Sequence, residues 1–98
     1  MAKKLKQPIG IIEVNTDIIK KDRASQKAYA FFITLSDKPD SLWKKYFEDE
    51  WKNSDYAIKR AIKIDSNRLR VVFEYGENMR EHAKFAQGLV DTTNRRIE

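Results

Sequence analysis

The chain has no cysteine, one histidine, three glycines and two prolines in 98 residues. Without cysteine there are no disulfides and no thiolate metal sites, which predicts a reducing, cytoplasmic setting. The lone histidine, His82, would leave any metal shell to carboxylates, and Glu77 and Glu81 beside it match no ligand spacing of the His-Glu-x-x-His kind. No metal or cofactor is therefore expected. On a helical projection His82 joins Met79, Ala83, Ala86, Leu89, Val90 and Thr93, which predicts a partly buried side chain at a helix–sheet seam. Long hydrophobic runs are also missing. The stretch Ile9 to Val14 is interrupted by Glu13, lacks a small-residue cleavage site and is too short to span a bilayer, so a membrane partner is not expected. The serines Ser25, Ser36, Ser41, Ser54 and Ser66 fall in predicted turns or caps, where their hydroxyls have structural roles, and no triad can be assembled. The composition reads as that of a non-enzyme.

What the chain does have is charge, 20 basic against 15 acidic side chains, for a net +5. Residues 1–27 carry seven bases against three acids and residues 55–76 five against three, while the segments between and after are balanced or slightly acidic. This excess favours polyanions by a sequence-independent attraction, and it also serves solubility. The length suffices for one domain with a single core. Residues 1–7 (MAKKLKQ) read as a flexible basic tail, and residues 8–98 as the domain.

Two alternating runs joined by Asp65-Ser66-Asn67-Arg68 specify a β-hairpin over Ala57 to Tyr75. Ile58, Ile62, Ile64, Leu69, Val71, Phe73 and Tyr75 share one face; Lys59, Ala61, Lys63, Arg70, Val72 and Glu74 take the other. Upstream, Ile9 to Ile19 alternates with Ile12, Val14, Thr16 and Ile18 opposed to Ile11, Glu13, Asn15 and Asp17, and predicts a half-buried strand. Lys20 to Lys27 follows as an exposed basic loop containing Lys20, Lys21, Arg23 and Lys27, and Ala28 to Ser36 is a second strand rich in aromatic and β-branched residues.

Helices follow each pair of strands. Asp37, Asp40 and Ser41 supply start signals for a helix to about Lys52, whose Trp43, Phe47 and Trp51 at i, i+4 and i+8 form an aromatic stripe. Gly76 ends the fourth strand, and Asn78 with Glu81 resembles a capping box opening a helix from Met79 to about Arg95. The order predicts an α+β two-layer sandwich, a four-stranded antiparallel sheet with two helices on one face (ββαββα).

Two charges interrupt this apolar pattern. Glu50 lies among the aromatics of the first helix and Arg60 shares parity with Ile58 and Ile62, so a Glu50–Arg60 pair is expected at the core margin. On the last helix, Phe85, Gly88 and Thr92 lie off the apolar stripe as a rival surface.

Function then rests on the uncovered sheet face. Ile11, Ala30, Phe32, Ala61 and Val72 are expected to form a small apolar patch there, ringed by Lys59, Lys63 and Arg70. That arrangement predicts a protein-interaction module, with a heterologous partner or as a homodimer formed through the open sheet face. The alternative is single-stranded nucleic acid, with Phe32 stacking on a base while Lys59, Lys63, Arg70 and the basic loop meet phosphates.

Overall fold

Hydrophobic alternation and aromatic periodicity translate into two hairpins and two helices. The computed structural model describes residues 8–23, 26–55 and 61–97. Its elements are β1 (Ile11–Lys21), β2 (Ala28–Leu35), α1 (Ser41–Asn53), β3 (Ile62–Asp65), β4 (Arg68–Glu74) and α2 (Met79–Ile97). The predicted α+β architecture is observed. Among the described residues the four strands form one antiparallel sheet in the order β1-β2-β4-β3. The pairing of β1 with β2 is interrupted twice, between Ile11 and Glu13 and between Asn15 and Lys20.

Each helix is started by a side chain that satisfies an otherwise unpaired N–H. Asp40 accepts from the Trp43 N–H at 2.9 Å, a cap typically worth about 1 kcal/mol. Asn78 does the same for α2, its Oδ1 accepting from the Arg80 N–H at 2.8 Å. Ser54 ends α1, donating both its backbone N–H and its hydroxyl to the Trp51 carbonyl. Neither helix is long and apolar enough to cross a membrane.

The stripe on α1 works as its spacing implies. Trp43 and Phe47 are buried and stack with ring centroids 5.3 Å apart, and half-buried Trp51 packs at the margin. They meet Phe31, Ile33 and Leu35 of β2, Leu69, Val71 and Phe73 of β4, and Ala86, Leu89 and Val90 of α2. His82 is fully buried and its Nε2 lies 3.0 Å from the Glu77 carboxylate, so it is a satisfied core histidine.

One polar residue of α2 ties three parts of the molecule together. The Asn94 amide oxygen accepts from the Trp43 indole N–H at 2.9 Å and from the Ile9 N–H at 3.2 Å, while its nitrogen donates to the Ile9 carbonyl at 2.7 Å. The side chain thereby imitates a strand partner for Ile9 and fastens the entry to β1 onto both helices.

The β3–β4 turn is tight. Ser66 takes φ 59°, a left-handed conformation that costs a non-glycine residue about 1–2 kcal/mol, and the Asp65–Arg68 ion pair at 3.0 Å brackets it. Gly76, at φ 95°, turns the chain out of β4, as glycine permits.

Two corrections to the sequence reading concern β1. Its register with β2 steps from Ile11 opposite Leu35 to Glu13 opposite Thr34, so Ile12 is an extra residue. A one-residue bulge reverses the parity of side chains on either side of it. Ile11, expected on the outer face, therefore packs against the core, and Ile12 is 66% exposed. In addition, β1 extends to Lys21, so Lys20 and Lys21 are strand residues instead of loop residues.

Candidate functional site

The outer sheet face is built from alternate residues of the two central strands. Register places Ala28 opposite Glu74, Ala30 opposite Val72, Phe32 opposite Arg70 and Thr34 opposite Arg68. The helices cover the other side, yet this face is not an open apolar patch. Ala28, Ala30, Phe32 and Val72 are all buried; of the five residues expected to form the patch only Ala61 is exposed.

The reason lies in the arginines. Arg70 Nη1 is 2.5 Å from Asp22 Oδ1, an ion pair whose side chains are 27% and 15% exposed. Arg70 belongs to β4 and Asp22 follows β1, and in the order β1-β2-β4 a bond between them must cross over β2. Its diagonal path begins opposite Phe32 and ends beside Ala28, where the Asp22 N–H donates to the Ala28 carbonyl. The residue beneath the crossing is Ala30. Ala28 and Ala30, small side chains along this path, form with Val72 a small second buried apolar cluster. Phe32 is covered as well, with the Arg68 guanidinium carbon 4.1 Å from its ring centroid.

The sequence-predicted site residues therefore divide into groups. Lys63 is exposed on the outer face, Arg70 is engaged by Asp22, and Phe32 and Val72 are buried there. Ile11 lies on the other side of the sheet, and Lys59 lies outside the described residues. At the hairpin end, Lys20, Arg23 and Lys27 are exposed, while the Lys21 ammonium donates to the Gln26 carbonyl at 2.8 Å and lies 5.1 Å from the Tyr29 ring centroid. The expected Glu50–Arg60 pair involves Arg60, outside the described residues; Glu50 itself bonds to Arg96 at 3.0 Å.

The rival surface on α2 is a shallow one. Glu50, Lys84, Phe85 and Gly88 are among the residues lining an open depression of about 310 Å³ between the end of α1 and the middle of α2. A Cβ at Gly88 would meet nothing within 4 Å, so no close approach inside the chain calls for glycine there.

Sequence reasoning missed an exposed apolar surface on the sheet, the edge of β1 that has no strand beside it among the described residues. Ile12 is 66% exposed, and Val14 and Ile19 are each 43% exposed. The other edge differs: its described strand, Ile62–Asp65, carries Lys63 and Asp65. The signal was present as an isoleucine-rich 11-residue run, but only the strand order shows that it lies at an edge.

The hydrogen-bonding direction along β1 can be worked out. Ser36 N–H donates to the Gly10 carbonyl, whereas the next residue inward on β2, Leu35, donates to Asn67 on the opposite side. Backbone groups alternate in direction along a strand, so Thr34, Phe32, Ala30 and Ala28 face β1. Their partners Glu13, Asn15, Lys20 and Asp22 face β2 in return. The backbone N–H and C=O groups of Val14 and, by alternation from Lys20, those of Ile19 consequently point away from β2.

No known family matches the chain, and no similarity to a curated protein or a solved structure was found.

Proposed function

We propose that this protein is a small non-enzymatic protein-interaction module whose contact surface is the β1 edge. The observation that carries this reading is the coincidence, on one long edge strand, of outward-facing backbone groups with exposed Ile12, Val14 and Ile19. Monomeric proteins generally blunt such edges with short strands, proline, lysine or bulges, because an open edge recruits another strand; of these β1 has the bulges. β1 has its lysines only at the last two positions and contains no proline. Strand addition supplies affinity through main-chain hydrogen bonds and specificity through alternate side chains.

The outer face gives less support to a contact role than its sequence suggested, since the Arg70–Asp22 bridge and Arg68 occupy it. The same two features weigh against nucleic-acid binding there. A base could stack on Phe32 only after displacing Arg68, and Arg70 already has a carboxylate partner.

The test is a differential capture from the native host, with the wild-type chain and an Ile12→Lys/Val14→Lys variant as baits. A protein, this chain's own copies included, that is retained by the first and lost from the second is the expected result. If every bound protein is retained equally by both folded baits, the edge is not the contact surface.

A further inference from the structure

We infer that the occupant of the β1 edge is β1 of a second copy, paired antiparallel about a two-fold axis perpendicular to the sheet, with Val14 opposite the partner's Ile19 and Glu13 opposite the partner's Lys20. This inference rests on the interaction reading above and names its partner.

The argument starts from the irregularity in β1. The step from Asn15 to Lys20 takes five residues on β1, while the step from Phe32 to Ala30 takes two on β2. An odd excess reverses side-chain parity between the two halves of the strand. Glu13, opposite Thr34, and Lys20, opposite Ala30, therefore both lie on the outer face although their separation in a regular strand would put them on opposite faces. By the same reversal, Val14 and Ile19 both lie on the helix side. Antiparallel neighbours share a face, so the reversal is what allows a strand to pair with itself in this register.

Backbone direction agrees. Val14 and Ile19 both turn their N–H and C=O groups outward, so Val14 and the partner's Ile19 form a hydrogen-bonded pair and Glu13 and the partner's Lys20 an adjoining non-hydrogen-bonded pair, where side chains approach most closely. The two-fold axis makes each contact twice.

Charge selects this register over its neighbours with the same backbone direction. Sliding the partner one way sets Glu13 against the partner's Asp22 and Val14 against the partner's Lys21. Sliding it the other way sets Glu13 and Val14 against the partner's irregular stretch between Asn15 and Lys20, away from the lysine. Only the proposed alignment joins opposite charges and aliphatic side chains at the same time. The contact is made by the two flanks, Glu13–Val14 with the partner's Ile19–Lys20 and the reverse, and the irregular stretches of both copies meet at the axis.

Light scattering on the full chain, eluted from a sizing column over a range of concentrations, tests the proposal. The wild type is expected to run as a dimer at high micromolar concentration. Glu13→Lys and Lys20→Glu should each raise the dimer dissociation constant about tenfold, since each turns two attractions into two like-charge contacts. The Glu13→Lys/Lys20→Glu double variant should restore dimerisation. Circular dichroism confirms that each variant is folded. A dimer whose charge variants are not rescued by the double exchange overturns the register. A strict monomer overturns self-pairing, meaning that the bulge keeps two edges apart; if the edge-dependent capture described above still succeeds, the interaction reading survives with a different partner, and if both fail, that reading falls too.

Discussion

Replacing Asn94 by alanine removes three hydrogen bonds at once and leaves the Trp43 indole N–H and both backbone groups of Ile9 without their partner. Trp43 is 4% exposed and Ile9 8%, so water reaches the indole poorly and the strand entry only in part. A buried donor stripped of its acceptor costs about 1–3 kcal/mol, and the Ile9 groups, which water can partly re-solvate, add about 1 kcal/mol. The expected loss is about 3 kcal/mol, a large share of the roughly 5–15 kcal/mol typical of a small domain. At roughly 4–8 °C per kcal/mol for a chain of this size, the melting midpoint should fall by about 12–24 °C. Urea denaturation followed by tryptophan fluorescence and by circular dichroism measures the loss, and amide exchange at Ile9 reports whether the entry to β1 has come loose. Asn94→Asp is the companion variant. It keeps an acceptor for the two N–H groups but turns an oxygen toward the Ile9 carbonyl, so it should also destabilise, with Trp43 remaining bonded. A loss below about 1 kcal/mol for Asn94→Ala would refute the claim that this amide joins α1, α2 and the start of β1.

Two further predictions follow from the turn and the outer face. Ser66→Gly should stabilise the protein by about 0.5–1 kcal/mol, because relief of the left-handed strain exceeds the added freedom of the unfolded chain; a lower urea midpoint would show that the serine side chain matters more than its φ of 59°. Ala30→Leu should cost about 2 kcal/mol by filling the path of the Arg70–Asp22 bridge. In a double-mutant cycle Asp22→Ala should then add almost nothing to Ala30→Leu, whereas full additivity would mean that the bridge does not cross Ala30.

Much of the fold could be read from periodicity. Trp43, Phe47 and Trp51 repeat with the helical period, and the inward set Leu69, Val71 and Phe73 repeats with the strand period, so their burial follows from local pattern alone. Where local pattern failed, a tertiary detail had intervened. Nothing in the composition around Ile12 marks a bulge, yet that one residue exchanges the environments of Ile11 and Ile12. Phe32 occupies the solvent-facing parity with Arg70, and only the pairing of β2 with β4 shows that Arg70 stands opposite it and that Arg68 covers its ring. Asn94 left a fainter trace: an amide next to the apolar stripe of α2, in a chain with a tryptophan on the facing helix whose indole N–H needs an acceptor. The β1 edge was the least legible feature, because a strand becomes an edge through long-range pairing of β2 with β4, which adjacent sequence does not encode.

Because the chain lacks cysteine, introduced thiols report on the β1 contact without interference. Glu13→Cys and Lys20→Cys, prepared separately and mixed under mild oxidation, place one thiol from each copy at a non-hydrogen-bonded pair, the closely approaching type of cross-strand site. Either variant alone keeps its two thiols roughly 13 Å apart across the axis, because Glu13 and Lys20 stand opposite Thr34 and Ala30, four residues apart on β2 at about 3.3 Å per residue. A cross-linked dimer formed by the mixture and not by either variant alone is the predicted result. Cross-linking that is no more efficient in the mixture than in the separate variants, with all of them folded, would contradict the pairing of β1 with itself.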